Sequence, residues 1–308
     1  MKEQAITTVA DLFGDIIVED AESEQKQNFS MWIDYKNDYV PAVNLKTTEK
    51  IPSGVYKVTY SRDDYHIIPI EINTDELYRF SEDFTDTILK EVEKFWDRKD
   101  IYKKYNFTHK RGLLLVGAPG NGKTACINLL IKQLIQKDGL VFFLNSIKEF
   151  NMYVDVLKPV IRTIEPERPI ITIIEDIDQM IENMNNDSEI LDLLDGKNSI
   201  NHHLVILTSN DTSTLSPALL RPSRIDMVFE IVPPGADIRK EFFIKKGIAE
   251  DRLQEYVDKT DGMSFAELKE VFTGTVVLDK SIDEVVSQIK HPMETKNYLD
   301  RPKNSMGV

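Results

Sequence analysis

Residues 117–124 read GAPGNGKT, and this stretch constrains the fold more than any other part of the chain. It fits the pattern GxxxxGK[ST], in which glycines let successive backbone N–H groups converge on the phosphates of a nucleotide. The apolar run GLLLV precedes it directly, and the helical pattern TACINLLIKQLI follows it. A strand, a glycine-rich loop and a helix in this order predict an anion-binding site at the start of the helix.

Apolar runs of strand length alternate with helical patterns from Lys110 to about Ile231. This alternation predicts βαβ units and a parallel sheet with helices on both faces. The runs GLLLVG, LVFFLN, PIITII and HLVILTS are continuously apolar, as strands buried on both faces are. The sequence therefore predicts an α/β fold of the P-loop NTPase class.

The segments on either side of this region have a different texture. Residues 29–73 contain short runs of β-branched and aromatic residues, which turn signals separate. After residues 233–235, which read Pro-Pro-Gly, every segment has helical spacing. We therefore expect a β-rich N-terminal domain over residues 1–80 that begins with a loosely held segment, the nucleotide-binding α/β domain over 81–232, a small helical lid domain over 233–290 and a flexible tail over 291–308.

The chain is acidic, with 52 Asp and Glu against 38 Lys and Arg and a net charge of −14. This balance disfavours a protein that coats nucleic acid or an anionic membrane, although it is compatible with a local basic channel. The single cysteine, Cys126, cannot support a disulfide framework, which fits a reducing cytoplasm. No apolar run approaches the ~20 residues of a membrane span, and the first residues lack a signal-peptide pattern. The abundance of Ile, Asn, Lys and Asp suggests an AT-rich bacterial or phage genome.

The glycine-rich loop assigns roles to two side chains. Lys123 is expected to reach the β- and γ-phosphates of ATP, and the Thr124 hydroxyl is expected to take one coordination position on Mg²⁺. A structural glycine-rich turn is the alternative, but the strand before the loop and the helix after it argue against that interpretation. The predicted nucleotide-binding residues are Gly117, Ala118, Pro119, Gly120, Asn121, Gly122, Lys123, Thr124 and Ala125.

A second acidic strand follows the loop along the chain. The apolar run PIITII ends in Glu175 and Asp176. Carboxylates at the C-terminal edge of a parallel sheet lie where ligands bind in open α/β folds. Solvated acids at a strand end are the alternative, which the phosphate loop makes less attractive.

From about Phe84 to Leu278 the sequence resembles the AAA-family ATPases, in particular the group of the FtsH-type proteases and the mitochondrial Rieske-protein translocase. Members of the family usually carry Asp then Glu at the end of the acidic strand, whereas this chain has Glu175 then Asp176. The resemblance implies that Glu175 helps to hold Mg²⁺ through its waters and that Asp176 polarises the attacking water. Because Asp is one methylene shorter than Glu, the division of labour between the two acids stays open.

The resemblance also extends to residues after the next strand. Asn210, at the end of HLVILTSND, matches a sensor that hydrogen-bonds the attacking water or the γ-phosphate; an asparagine that starts a turn is the alternative. In SPALLRPSRID, Arg221 and Arg224 match arginine fingers that reach the γ-phosphate bound by a neighbouring subunit. Without the family pattern, both would read as surface charges.

Between the second strand and the acidic strand, family members place a loop that lines a central pore and grips a substrate. Phe150 and Tyr153 are the candidates in SIKEFNMYVDVLKPVI, but the glycine that usually follows the aromatic residue is missing. Packing of both rings in the core is the alternative interpretation.

Three further features have simpler interpretations. Residues 262–266 resemble the lid stretch near the adenine, although Ser264 as helix cap with Glu267 completing a capping box explains them equally well. Cys126 is expected to be a small buried hydrophobe. His202 and His203 are expected to form a surface or hydrogen-bonded pair.

The sequence as a whole predicts a cytoplasmic, Mg²⁺-dependent ATPase that assembles into a homo-oligomeric ring, expected to be a hexamer. A motor that pulls or unfolds a protein client through its pore is the first hypothesis, with the N-terminal domain selecting the client. A DNA-transaction ATPase of the loader or packaging kind is the second, which the acidic composition disfavours. A scaffold whose assembly ATP switches is the third. The zinc-protease motif HExxH does not follow the lid, so proteolysis would require a separate partner.

Overall fold

The computed structural model describes residues 29–35, 38–43, 48–61, 64–72, 80, 84–154, 158–184, 188–194, 200–213 and 215–291. The loosely held segment expected before residue 28 and the flexible tail expected beyond residue 291 lie outside the described residues. The strands are β1 (Phe29–Tyr35), β2 (Asp38–Val43), β3 (Gly54–Ser61), β4 (Asp64–Pro69), β5 (Lys110–Val116), β6 (Leu140–Phe143), β7 (Ile170–Ile174), β8 (His203–Ser209) and β9 (Met227–Glu230).

The described helices cover the remainder of the α/β region and the C-terminal part of the chain. None of them is long and apolar enough to cross a membrane. They are α1 (Phe84–Asp97), α2 (Lys99–Lys104), α3 (Lys123–Gln136), α4 (Ile147–Met152), α5 (Lys158–Ile164), α6 (Ile177–Met184), α7 (Ser188–Leu194), α8 (Ala236–Lys245), α9 (Glu250–Lys259), α10 (Phe265–Phe272) and α11 (Ile282–Lys290), with a π-helical turn at Thr273–Val277 between the last two.

Seven strands form one sheet in the order β4-β3-β6-β7-β8-β5-β9. The pairs β3–β6, β6–β7, β7–β8, β5–β8 and β5–β9 are all parallel. The predicted α/β fold is therefore confirmed. Because β5 and β7 both flank β8, the loop after β5 and the acids after β7 come to the same edge of the sheet.

The core forms where helices cover the continuously apolar strands. Every residue of β6, β7 and β8 is buried, and helix α3 buries Ile127, Leu130 and Ile131 against the same core cluster. Each such side chain removed from water stabilises the fold by roughly 1.5–3 kcal/mol. Cys126 is 1% exposed and packs in the core, so the prediction that it is a small buried hydrophobe is confirmed.

The expected domain boundary at residue 80 requires a correction. Strand β3 pairs in parallel with β6 through Gly54–Leu140 to Lys57–Phe143, so it extends the seven-stranded sheet. The described residues within 52–59 and 67–291 form one compact unit, whereas the described residues within 29–51 and 60–66 form another. Alternating β-branched residues predicted the strands correctly but carry no information about which sheet they join. Within the other unit, β1 and β2 pair antiparallel.

The four C-terminal helices and the π-helical turn have a core of their own. Phe242, Phe243, Tyr256, Leu268 and Val271 are buried members of one cluster. Helix α10 begins with a complete capping box, in which the Ser264 hydroxyl accepts a hydrogen bond from the Glu267 backbone N–H and the Glu267 carboxylate accepts one from the Ser264 backbone N–H. The predicted cap is therefore present.

The two aromatic residues considered for a pore loop are buried. Phe150 is 1% exposed and Tyr153 is 0% exposed. The Thr172 hydroxyl in the middle of β7 donates a hydrogen bond of 2.9 Å to the Tyr153 hydroxyl. Burial raises the pKa of Tyr153 to about 12. The pore-gripping interpretation of these rings is therefore wrong, and the alternative of core packing describes both.

A cluster of histidines lies at the amino-terminal ends of β5 and β8. His109 Nδ1 lies 2.9 Å from His202 Nδ1, and His203 Nε2 lies 2.8 Å from the Thr172 hydroxyl. Burial is the largest cause that lowers the pKa of His202 to about 4, and burial also holds the pKa of His203 well below its ordinary value. Both side chains are hydrogen-bonded as expected, but neither lies on the surface.

Candidate active site

The loop between β5 and α3 approaches its neighbours so closely that only glycine fits at two positions. Gly120 has a φ of 84°, and a Cβ there would lie 2.9 Å from Ala266 Cβ. A Cβ on Gly117 would lie 2.2 Å from the Ile231 carbonyl oxygen. The side-chain amide of Asn121 donates a hydrogen bond of 3.1 Å to the same carbonyl and so fixes the loop against Ile231. The loop is therefore held in a conformation that directs its backbone toward the cavity above it.

Lys123 begins helix α3 and turns its ammonium group back over the loop. Its Nζ donates hydrogen bonds of 2.5 Å to the Gly117 carbonyl and 2.7 Å to Asn210 Oδ1. Burial lowers the pKa of Lys123, and the nearby carboxylates of Asp176, Asp178 and Glu175 oppose that shift. The lysine is thus part of a hydrogen-bonded group at the start of the helix, where the helix dipole also favours anions.

Thr124, in the first turn of helix α3, lies beside Glu175, which directly follows β7. The Thr124 hydroxyl lies 3.2 Å from Glu175 Oε1. A hydroxyl and a carboxylate oxygen side by side, in reach of the phosphate loop, form a donor set that suits Mg²⁺, which prefers few protein oxygens together with water and phosphate oxygens. These residues therefore fit the metal that the sequence predicts.

Asp176 has an unusual backbone and a defined set of partners. Its φ is 48°, in the left-handed region that few non-glycine residues adopt. The Asp176 backbone N–H donates a hydrogen bond of 2.9 Å to the Thr208 hydroxyl. The side-chain amide of Asn210 donates one of 3.3 Å to Asp176 Oδ1. Asn210 therefore connects Asp176 to Lys123, and the three side chains form a chain of hydrogen bonds across the ends of three elements.

A cavity of about 590 Å³ lies above this chain of hydrogen bonds. It opens beside the phosphate loop and the two acids, and its size is in the range of small-molecule sites. Its lining residues are Pro119, Gly120, Gly122, Lys123, Thr124, Ala125, Glu175, Asp176, Thr208 and Asn210. A second, apolar cavity of about 230 Å³ lies on the other side of Gly122, with Phe80, Phe84 and Phe265 among its walls.

The structure brings together five of the predicted side chains and leaves two apart. Lys123, Thr124, Glu175, Asp176 and Asn210 line one cavity. Arg221 and Arg224 are absent from the described residues that line it, and the Arg224 guanidinium donates a hydrogen bond of 2.8 Å to the Ala218 carbonyl. Arg221 is exposed. Within one chain, the arginines therefore do not complete the site.

Thr208 is the residue that sequence reasoning missed. Three polar residues, Thr208, Ser209 and Asn210, end the run HLVILTSN, and a role was predicted only for Asn210. The Thr208 hydroxyl is 2.9 Å from the Asp176 backbone nitrogen, and Thr208 is 2% exposed. A threonine directly after the apolar run of a buried strand is a signal for such a contact, but its partner depends on which strand lies alongside.

Comparison with known proteins agrees with this geometry. Residues 113–232 match the model of the ATPase family associated with various cellular activities (AAA). That range begins in β5 and ends just after β9, so it includes the phosphate loop, both acids, Asn210 and the two arginines.

Several curated proteins are similar over a larger part of the chain. A 26S proteasome regulatory subunit 8 homolog of Schizosaccharomyces pombe is 27% identical over 267 residues, which are 77% of this chain and 59% of that protein. A probable inactive ATP-dependent zinc metalloprotease, FTSHI 2, of Arabidopsis thaliana is 30% identical over 247 residues, 71% of this chain and 28% of that protein. An AAA ATPase forming ring-shaped complexes from Bifidobacterium animalis subsp. lactis is 26% identical over 215 residues, 59% of this chain and 40% of that protein.

The chain spans less than two thirds of the length of each of these relatives. The chain contains an AAA ATPase domain of the AAA+ superfamily.

Proposed function

We propose that this AAA domain binds ATP in the cavity of about 590 Å³ and hydrolyses it with the help of Mg²⁺. The observation that carries the proposal is the chain of hydrogen bonds from Lys123 through Asn210 to Asp176. It joins a phosphate-binding lysine to a carboxylate that can act on water, and the phosphate loop lies within the same cavity. A purely structural cluster would not require an open cavity above it.

The side chains divide the work as follows. The β- and γ-phosphates are held by the backbone N–H groups around residues 120–124 and by the Lys123 ammonium. When the phosphates bind, they replace the Gly117 carbonyl and Asn210 as partners of that ammonium. Asp176 accepts a hydrogen bond from the attacking water and orients it, while Asn210 fixes the carboxylate and contacts the water or the γ-phosphate.

Thr124 and Glu175 are the residues that would hold Mg²⁺. When bound there, the ion neutralises negative charge on the phosphate oxygens during transfer. Thr124 contributes its hydroxyl, and Glu175 orients the metal's waters with a carboxylate that already lies 3.2 Å from that hydroxyl. The base of the nucleotide fits the apolar cavity of about 230 Å³, because aromatic walls from Phe84 and Phe265 suit a flat ring.

The positions of Arg221 and Arg224 support the proposal that the chain assembles into a ring. The described lining residues of the cavity supply one cation, Lys123, and both arginines lie outside it in their own chain. Phosphoryl transfer is strongly accelerated by an arginine that approaches from outside the site. We propose that a neighbouring copy supplies these arginines in a closed ring, which we expect to be a hexamer. The name of the relative from Bifidobacterium, an AAA ATPase forming ring-shaped complexes, supports the ring itself.

A protein is the client that the comparisons favour. One relative is named as a proteasome regulatory subunit and another as a zinc metalloprotease, although an inactive one. The net charge of −14 disfavours extended contact with nucleic acid. We therefore propose a motor that unfolds or translocates a protein client, with client selection by the N-terminal region. We also propose a cytoplasmic location, which suits a chain with a single cysteine.

The test measures ATP hydrolysis by the purified chain alone, with an unfolded protein such as reduced casein, and with single-stranded or duplex DNA. The proposal expects Mg²⁺-dependent hydrolysis that the unfolded protein stimulates and DNA does not. Stimulation by DNA alone would favour a DNA-transaction ATPase, and ATP-dependent assembly without turnover would favour a scaffold. Co-purification with an Asp176→Asn chain, which should retain bound ATP and client, would then identify the client.

A further inference from the structure

We propose that Thr208 is a positioning residue for hydrolysis: its hydroxyl holds the backbone of Asp176 in the left-handed conformation that directs the carboxylate toward Asn210. The inference rests on the proposed function, because it assigns Asp176 the task of orienting water. Thr208 lines the same cavity, and the role inferred for it is exerted through Asp176.

The conformation of Asp176 needs an external partner. A φ of 48° is disfavoured for residues with a Cβ, although Asp tolerates it better than most. The Asp176 carbonyl is already engaged, because it accepts hydrogen bonds of 3.0 Å from the Gln179 N–H and 3.2 Å from the Met180 N–H at the start of helix α6. The N–H on the other side of the residue is held by the Thr208 hydroxyl at 2.9 Å. Asp176 is therefore fixed at both of its peptide groups.

Thr208 reaches this N–H because of the strand register. Ile174 on β7 pairs with Leu207 on β8, so Thr208 is the next residue along the neighbouring strand. The backbone of β8 is hydrogen-bonded on both sides, to β7 and to β5, which leaves its position little freedom. A hydroxyl on a rigid central strand is a precise anchor for a turn that begins on the strand beside it.

The direction of the Asp176 side chain follows from this anchor. Its Oδ1 accepts a hydrogen bond of 3.3 Å from Asn210, which follows β8 by one residue. Thr208 and Asn210 thus hold the backbone and the side chain of Asp176 from the same strand. Without the Thr208 hydroxyl, the turn can relax toward an ordinary φ, and the carboxylate then leaves the geometry in which it orients water.

A simple packing role for Thr208 makes the opposite prediction for two substitutions. Thr208→Val keeps the shape of the side chain but removes the hydrogen-bond acceptor. Thr208→Ser keeps the hydroxyl but removes a methyl group and leaves a small cavity. If the hydroxyl matters, the valine variant is impaired and the serine variant is largely restored, whereas a packing role would reverse that order.

The experiment compares kcat, KM for ATP and amide hydrogen exchange at Asp176 in the wild type, Thr208→Val and Thr208→Ser. Thr172→Val is the matched control, since Thr172 is a buried threonine on β7 whose hydroxyl bonds Tyr153 and His203 instead. We expect Thr208→Val to lower kcat roughly 10- to 100-fold with KM unchanged, and to accelerate exchange of the Asp176 amide. Thr208→Ser should stay within about threefold of the wild type, and Thr172→Val should leave kcat unchanged.

Equal kcat values for Thr208→Val and the wild type, or a serine variant more impaired than the valine variant, would overturn the inference. Amide exchange is measured without nucleotide, so it decides whether Thr208 holds Asp176 even if the wild type hydrolyses no ATP. In that case the proposed function fails while the hydrogen bond stands. If the wild type hydrolyses ATP and Thr208→Val changes neither readout, only the role of Thr208 fails.

Discussion

Polar residues lie at both ends of the central strands, and the group at the carboxyl-terminal end lines an open cavity. At the amino-terminal ends of β5 and β8, His109 and His202 bond each other, and His203 is bonded to Thr172. At the carboxyl-terminal ends, Lys123, Asn210 and Asp176 also bond one another, yet they line a cavity of about 590 Å³. The first group is closed, whereas the second leaves donors and acceptors available to a ligand.

This difference shows what separates a structural polar cluster from a candidate active site. Burial alone does not, because buried or half-buried polar groups occur at both ends. The carboxyl-terminal end has glycines that bring backbone N–H groups to the surface of the cavity, and the amino end of helix α3 lies at the same place. We therefore expect catalysis at the carboxyl-terminal end of the strands, and we expect the polar cluster at the amino-terminal end to contribute to the stability of the fold.

The largest expected effect lies at the carboxyl-terminal end. Asp176→Asn should lower kcat by on the order of a hundredfold or more while MgATP affinity is retained, because an amide cannot accept the proton or orient water as a carboxylate does. Steady-state kinetics and calorimetry measure the two quantities. Glu175→Gln is the paired variant and should instead raise the Mg²⁺ concentration needed for half-maximal rate. If Glu175→Gln instead lowers kcat and Asp176→Asn raises the Mg²⁺ requirement, Glu175 is the residue that acts on water and Asp176 is the one that helps to hold Mg²⁺.

A second prediction concerns the arginine that the described walls of the cavity lack within a single chain. Arg224→Ala should bind ATP but hydrolyse it at least tenfold more slowly, since the charge developing on the γ-phosphate loses a donor. Mixed with Lys123→Ala chains, it should regain activity, because about a quarter of random interfaces in a closed ring pair an intact loop with an intact arginine. Mixed rings that form, as mass measurement would establish, yet remain inactive would exclude action between subunits.

The sequence predicts the site better than it predicts the sheet that carries it. The loop is a local pattern with known chemistry, so the roles of Lys123 and Thr124 could be predicted from its spacing, and the role of Glu175 was implied by the family resemblance. The pairing of β3 with β6 could not be predicted, because the residues of a strand do not specify its neighbour in the sheet and the pairing depends on long-range packing. Likewise, the sequence alone does not decide between a pore loop and core packing for Tyr153, because the hydrogen-bond partner of its hydroxyl, Thr172, lies on a strand about twenty residues away in sequence.

The buried hydrogen bond between Tyr153 and Thr172, which continues the cluster from His203, should affect stability and not catalysis. Tyr153→Phe removes the acceptor of the Thr172 hydroxyl in a fully buried site and should lower the free energy of unfolding by about 1–3 kcal/mol. ATP hydrolysis and its stimulation by unfolded protein should stay unchanged at a temperature where the variant is folded. Urea unfolding and turnover assays measure both. Loss of client stimulation in a chain of normal stability would instead give Tyr153 a role in handling the client.

The smallest expected effect is a pH dependence at the amino-terminal end of the strands. His202 faces His109, Glu167, Lys99 and Arg162, and burial, the largest cause, lowers its pKa to about 4. The unfolded chain takes up this proton near the ordinary pKa of about 6.5. Stability from the neutral imidazole is therefore complete above pH ~6.5 and is lost as the pH falls toward about 4.

Urea unfolding at several pH values between 7.5 and 4.5 measures this loss. His202→Asn should make the free energy of unfolding less dependent on pH, and asparagine tolerates the left-handed backbone of this position, where φ is 56°. His291→Asn, at an exposed histidine, is the control and should retain the wild-type dependence. An unchanged dependence in His202→Asn would show that this imidazole does not contribute.

The central claim is that the carboxyl-terminal end of the sheet is a site for ATP, and calorimetric titration of ATP into Lys123→Ala tests it most directly. Lys137→Ala is the matched control, because Lys137 follows the last residue of the same helix, at the opposite end from the loop, and pairs with Asp97. The account predicts that Lys137→Ala binds ATP like the wild type and that Lys123→Ala, although folded, shows no detectable binding. Wild-type affinity in Lys123→Ala would contradict the account.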